Sequence, residues 1–371
     1  MKIDTFVLER NQSLFENTVR YNLSDSGVHP LSLRQVLLPE ECEEILSLSQ
    51  GYGQTNGSVE LRSRIASHYR GLDETNILVT NGSAEANFAV VWTLVEPGDE
   101  VLVMLPNYML AWGALRAFGA TVTGFHLHEE HDWAPDLDEL RDKISSRTKL
   151  IVICNPNNPT GAVLDRTMMD TIVDLARHSG AFILSDEIYR GSEFSGVECP
   201  SFLDLYEKAI VCSGLSKSMA LPGLRIGWIA GPRSIIDDAW HRHDYTTIST
   251  SIVGQYVATR VLEPTRRADI LERGRSHLRK NLSEFSNWLS QHEDTFSFIP
   301  PRAGGMGFVR YHLPIGSSAL VDHLRIQKSV FAAAGDWFGM DKFLRFGIGT
   351  ATNILGPGLE RVSQAIEELR G

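Results

Sequence analysis

From residue 75 to 232 the chain alternates short, strongly apolar, β-prone runs with helical segments, and nothing else in it constrains the fold as tightly. The runs are Ile77–Thr80, Glu100–Met104, Thr121–His126, Leu150–Cys154, Phe182–Ser185, Ala209–Cys212 and Ile226–Ala230. Strands this apolar have no side fit for water, so they belong to a sheet buried on both faces, and such sheets are largely parallel. Segments such as Glu85–Val95 and Arg166–Ser179 supply the covering helices. The expected fold class is therefore α/β, with a mostly parallel seven-stranded sheet in a large domain spanning 46–265. After about Arg266 a charged helical stretch to His292 precedes a glycine-rich turn, Ala303–Gly307, short strands and a terminal helix from about Pro357. These read as a smaller α+β domain, 266–371 completed by 1–45. A long helix around Ile235–Arg273 is expected to bridge the two, interrupted at Pro264, because proline lacks the N–H a helix needs.

A chain of 371 residues suits two such bodies. Its 35 basic and 46 acidic residues leave a net charge of −11, which argues against nucleic acid or an anionic membrane as a partner. Cys42, Cys154, Cys199 and Cys212 show no CxxC spacing, so neither a disulfide framework nor a metal site is expected. The first residues lack a signal-peptide core, and no apolar run approaches the roughly 18 residues that would cross a bilayer. A cytoplasmic location is the expectation.

Open α/β sheets place their sites at the carboxyl ends of strands, where four segments carry chemistry. In SGLSKSMALPGLRIGW (213–228), Lys217 follows a buried strand amid small residues. Lysine forms a Schiff base with an aldehyde cofactor, and desolvation keeps it nucleophilic. Arg225, in a glycine- and proline-shaped loop, suits a phosphate; an ordinary loop lysine and a structural arginine are the plain alternative. In ILSDEIYRG (183–191), Asp186 points from the sheet edge and would keep a pyridine nitrogen protonated, unless it merely caps a helix. Tyr189 is placed to bond the ring's 3-oxygen. Asn158 in NPNNPTG (155–161) is placed to donate to the same oxygen, although NPTG alone is a turn signal. Gly82, Ser83 and Ala84 open a helix whose free N–H groups bind phosphate or simply cap it. Tyr108 either lies flat on a cofactor ring or belongs to the core.

In order and spacing, GYGQTNG, NGSAEA, PNY, NPNNPTG, SDEIYRG, SGLSKSMALPGLRIGW and FLRFGIG together resemble the class I/II aminotransferases, the fold-type I pyridoxal 5′-phosphate (PLP) enzymes. The resemblance runs along almost the whole chain. It implies PLP as cofactor, bonded to Lys217, with Asp186 at the pyridine nitrogen and Asn158 and Tyr189 at the 3-oxygen. It implies Arg225, Ser83 and Ala84 at the phosphate, Tyr108 stacked on the ring, and Arg345 on the substrate α-carboxylate beside Ser26–Gly27. It further implies a homodimer with shared active sites, in which Tyr52 reaches the partner's phosphate. Many relatives carry serine where this chain has Gly214; Ser213 or Ser216 is the candidate replacement.

Family members either exchange an amino group with a 2-oxoacid or eliminate and add at the side chain. YNLSDSGVHPLSL, APDLDEL, LPGLRIGW and HDYTTISTS look like the capreomycidine synthases and related cyclases, which turn hydroxylated arginine into a cyclic guanidino amino acid. On that resemblance Lys217 takes the Cα proton, water leaves and a guanidine nitrogen closes the ring: six-membered from a Cβ hydroxyl, five-membered from a Cγ hydroxyl. His29 is a candidate to protonate the departing hydroxyl, or is structural. Glu16 and Asp25 are candidates to pair with the guanidinium, or are solvated. SDEIYRG is the ordinary transaminase form, which keeps amino transfer open. A PLP-sensing regulator is disfavoured, because the Tyr52 motif leaves no room for a preceding DNA-binding domain.

Overall fold

The computed structural model describes residues 2–370. All seven apolar runs become strands of one sheet, joined at its edge by a two-residue eighth strand that was not expected. They are β1 (Ile77–Thr80), β2 (Glu100–Leu105), β3 (Thr121–His128), β4 (Ala134–Pro135), β5 (Thr148–Cys154), β6 (Phe182–Asp186), β7 (Ala209–Gly214) and β8 (Gly227–Ala230). Their spatial order is β1-β8-β7-β6-β5-β2-β3-β4. The five strands from β7 to β3 are parallel; β8 opposes both β1 and β7, and β4 opposes β3. Strand β4 escapes a sequence reading because it is short and contains Pro135, which belongs only at an edge.

Side chains alternate between the two faces of a strand, and here both sets are apolar. Val101, Val103, Leu150, Val152 and Leu184 pack beneath the helices Ser83–Leu94 and Arg233–His243. Their neighbours Leu102, Met104, Ile151, Ile153 and Ile183 pack on the opposite face, with Met169, Ile172 and Ala176 of the helix Arg166–Ser179. The two-sided burial read from composition is the physical reason the sheet is enclosed.

The bridging helix is not the one expected. Arg233–His243 and Ile252–Val261 are separate helices, and a 27-residue helix runs Pro264–Ser290. Pro264 starts that helix, because a first-turn N–H has no intrahelical partner to lose. Its Ile270 and Leu271 join the core of the large sheet, whereas Phe285, Trp288 and Leu289 join that of the smaller body. The smaller body is an antiparallel sheet ordered Phe296–Phe298, Met306–Tyr311, Phe343–Gly347, Ala333–Ala334, packed by the helices Ser317–Lys328 and Thr352–Arg370. Pro357 lies inside the terminal helix instead of opening it. Tyr21 and Leu23 join this core, but Val36 and Leu37 pack with Leu61, Ile77 and Val211 of the large body. The segment 1–45, assigned as a block to the small domain, is thus divided. The Trp133 ring lies 5.7 Å from those of both Phe308 and Phe343, tilted to the first and edge-on to the second, so the two bodies share apolar contact. Among the described residues no helix is long and apolar enough to cross a membrane.

Residues 23–29 form a strap between the bodies. The N–H of Gly347 donates to Leu23 O (2.6 Å), that of Gly305 to Ser26 O (3.1 Å), and that of His29 to Gly349 O (2.7 Å). The fit requires bare glycine: a Cβ at Gly349 would lie 1.8 Å from Gly27 O, one at Gly305 2.3 Å from the same atom, and one at Gly347 2.1 Å from Asp25 O. Gly349→Ala is expected to destabilise by about 3 kcal/mol, the upper range for overpacking a rigid contact. Gly113→Ala, in open space within a helix, should be neutral or stabilising by up to about 1 kcal/mol. Urea unfolding of both variants checks this; equal stabilities would contradict the seat described here.

Candidate active site

Five strands of the sheet deliver residues to one cavity. Beyond β1 the helix Ser83–Leu94 presents Ser83, Ala84 and Asn87; beyond β2 comes Tyr108; beyond β5, Asn158; at β6, Asp186 and Tyr189; beyond β7, Lys217. All enter at the carboxyl ends, where a parallel sheet leaves a crevice. The small domain adds Arg345, and the strap adds Ser26.

Asp186 ends β6. Its carboxylate accepts from the Asn87 side-chain amide at 3.0 Å and from the Ile188 N–H at 3.1 Å. Burial, only partly offset by these neutral donors, pushes its pKa up to about 6. Such a carboxylate is under-compensated, and a cationic ring nitrogen would restore its ordinary acidity. Tyr189 follows on the next turn. Its hydroxyl takes an N–H from Asn158 (3.1 Å) and pairs with Ser26 Oγ (2.7 Å), while burial pushes its pKa to about 12. Asn158 in turn accepts from Arg345 through Oδ1 at 2.8 Å. Arg345 is 1 % exposed, donates also to Ser24 O at 2.5 Å, and its buried Nε finds no partner among the described residues. Burial lowers its pKa. Arg345, Asn158, Tyr189 and Ser26 form one hydrogen-bonded row across the cavity.

The phosphate end is built by close backbone packing. A Cβ on Gly227 would meet Ser83 N at 2.5 Å, and one on Gly82, at φ +86°, would meet the Arg225 guanidinium at 2.2 Å. Arg225 therefore lies against the free N–H groups of the helix start, held by Pro222 O (3.1 Å), Asn81 O (3.4 Å) and Ser216 Oγ (3.4 Å). Ser213 instead donates to Glu187 O at 3.2 Å. Of the two candidate serines, Ser216 is the one beside Arg225. Gly214 cannot carry a side chain, since its Cβ would lie 2.8 Å from Ile226 O.

The N-terminal helix Val7–Phe15 covers the cavity with Leu8, Glu9 and Gln12. Tyr108 donates its hydroxyl to Glu9 at 2.6 Å, and burial followed by the Glu9 charge raises its pKa. Gln12 reaches Ser24 O at 3.1 Å. Glu16 caps the helix; burial, then the charges of Asp25 and Glu9, raise its pKa. Asp25 pairs with Lys217 at 2.7 Å. Burial opposes ionisation of Asp25, but Lys217 and the N–H groups of Gly27 and Ser26 bring its pKa down to about 2.

Glu16, Asp25, Gly27, Ser216, Arg225, His29 and Tyr52 are not lining residues of this cavity. His29 is exposed on the outer side of the strap, its ring 6.4 Å from that of His277, and it is not a lining residue. The strap turns Ser26 and Gly27 inward, which directs the histidine beyond Val28 away from the site. Tyr52 is 87 % exposed and does not line its own chain's cavity. Asn87, Glu9 and Gln12 were not singled out from sequence. Glu9, Gln12 and Glu16 do carry a signal, the spacing of one helical face, whereas Asn87 is ordinary on paper.

The residues fit PLP. An amine stands between a buried, under-compensated carboxylate and a helix start backed by arginine, which are the three ends that cofactor presents. Lys217 would bond it, Asp186 would face its nitrogen, Asn158 and Tyr189 its 3-oxygen, and Ser83, Ala84, Ser216 and Arg225 its phosphate.

Residues 35–356 match the family described as aminotransferase class I and II. Capreomycidine synthase of Streptomyces vinaceus is 29% identical over 350 residues, 93% of this chain and 89% of that protein. A PLP-dependent aminotransferase structure from Streptococcus suis 89-1591 is 33% identical with a TM-score of 0.93, covering 100% of this chain and 99% of the other. The PLP-dependent cyclase OrfR shares the fold at 24% identity, with a TM-score of 0.90 over 100% of this chain and 99% of its own. With a match over most of its length and a cavity that fits the cofactor, the chain belongs to the aminotransferase class I and II family and is a PLP-dependent enzyme.

Proposed function

We propose that the enzyme removes water from a hydroxylated arginine and closes a cyclic guanidino amino acid. The observation that carries this is the grouping of Glu9, which lines the cavity, with Glu16 and Asp25 beside Lys217. Burial most of all, then the charges of Asp25 and Glu9, raise the pKa of Glu16, and the charge of Lys217 lowers it. Once Lys217 is bonded to the cofactor, Arg345 is the cation left facing Asp25 and Glu9, and a substrate guanidinium would add a second, with forked donors suited to carboxylates. The similarity to capreomycidine synthase over 93% of the chain supports the same reading.

Arg345, through its Nε, would hold the substrate α-carboxylate beside Asn158. Glu16 and Glu9 would hold the guanidinium beneath the N-terminal helix, and that helix, fastened through Tyr108 and Ser24, would keep bulk water out. Lys217 would take the Cα proton as general base. PLP, when bound, supplies an electron sink for the pair left at Cα. With His29 outside the cavity, Lys217 is the group placed to return a proton to the departing hydroxyl. We infer a homodimer as in the family, with exposed Tyr52 offered to the partner's site.

The decisive assay gives the holoenzyme hydroxyarginine, and separately arginine and other amino acids, with no 2-oxoacid present. Many turnovers, an unchanged cofactor spectrum and a product lighter by one water are expected. A single half-reaction yielding one oxoacid per site would return the enzyme to amino transfer. Lys217→Ala should abolish the cofactor's bonded spectrum and all turnover. Glu16→Gln should raise KM for hydroxyarginine about ten- to a hundredfold, the worth of one charge-assisted hydrogen bond, while leaving the cofactor spectrum intact. An unchanged KM would remove Glu16 from the guanidinium site.

A further inference from the structure

Lys217 has a second partner that its cofactor chemistry does not require. Its Nζ lies 2.7 Å from Asp25 Oδ1, and the same oxygen accepts the N–H groups of Ser26 (2.6 Å) and Gly27 (3.1 Å). Three donors thus converge on one carboxylate oxygen, which fixes its direction as well as its charge. The lysine stem is held too: a Cβ on Gly27 would sit 3.2 Å from Lys217 Cδ, and the Val28 N–H reaches Lys217 O at 3.4 Å. Asp25 cannot drift, because its own carbonyl is seated against Gly347. About half of its side chain is open, 47 %, and that of Lys217, which lines the cavity, is 26 % open.

We propose that Asp25 is the positioning partner of Lys217 whenever the lysine is not bonded to cofactor, aiming the neutral amine into the cavity and stabilising the ammonium it becomes on taking a proton. The pairing rests only on these two residues and the strap. Its consequence for catalysis rests on the cyclisation proposed above. When the Cα–H bond breaks, the proton passes to Nζ, and Asp25 keeps it there. For a Cβ hydroxyl, the electron pair left at Cα then forms a Cα–Cβ double bond as the C–O bond breaks. The proton on Nζ goes to the leaving oxygen, water departs, and Nζ returns to the neutral amine. Asp25 neither gains nor loses a proton.

The charged and titratable groups around the pair act in known directions. Burial lowers the lysine pKa most strongly, but Asp25 and the Tyr189 phenol raise it against Arg345, and the net shift is upward. Glu16, facing the pair from the N-terminal helix, feels both partners. Without Asp25, burial and Arg345 would prevail and the amine would lose its proton at lower pH.

The test is competitive labelling of amines in the cofactor-free chain across pH, read by mass spectrometry on the peptide containing Lys217. In the unmodified protein Lys217 should titrate above the surface lysines; a midpoint below them would overturn the proposal without any variant. Asp25→Asn should bring the midpoint down by at least one pH unit, and Asp25→Glu should hold it near the original. A merely structural Asp25 would alter the extent of labelling at every pH and leave the midpoint unmoved, which would also overturn it. Turnover does not enter this readout, so its failure is separate from failure of the cyclisation assay.

Discussion

The seat of the strap on Gly305, Gly347 and Gly349 is the contact on which the site depends. It brings three backbone carbonyls or their neighbours within the space a single methyl would occupy. Because protein interiors transmit rather than absorb such displacement, the strap's position fixes Ser26 against Tyr189, Ser24 O against Arg345 and Asp25 against Lys217. One backbone contact therefore aligns groups drawn from the large sheet, the small sheet and the N-terminal segment. The sheet supplies the residues that fit the cofactor, and the strap adds Ser26 to the same cavity.

At this site two aspartates take opposite roles because their surroundings differ. Asp186 has only an amide and one N–H for company, and burial holds its pKa near 6. Asp25, its side chain about half open, receives an ammonium and two N–H groups, which bring it to about 2. Desolvation is common to both; the charge and number of donors decide the outcome. The first is prepared for a cationic ring nitrogen, and the second already has its cation in Lys217.

Much of this was legible in the chain. Seven strands could be read because both of their alternating side-chain sets are apolar, and Lys217, Asp186, Asn158, Tyr189 and Ser83 could be placed because each follows such a strand within a few residues. Pro264 misled, since a proline that starts a helix and one that breaks a helix look alike without the neighbouring N–H accounting. His29 looked catalytic because its pKa suits proton transfer, but direction along an extended strap depends on what seats it. Glu9 and Gln12 escaped notice because a helical face has meaning only once something lies beneath it.

Sequence alone therefore determined the enclosed sheet and the strand-end residues, because local order along a strand sets which side chains leave its carboxyl end together, and the resemblance of its ordered motifs to a family supplied the cofactor. Tertiary structure decided the rest. It placed Ser216 and not Ser213 beside Arg225, sent His29 outward, divided the first 45 residues between two cores, and joined Asp25 to Lys217 across 192 positions. Those outcomes turn on contacts between segments far apart in the chain, where packing and buried charge, not local periodicity, select one arrangement.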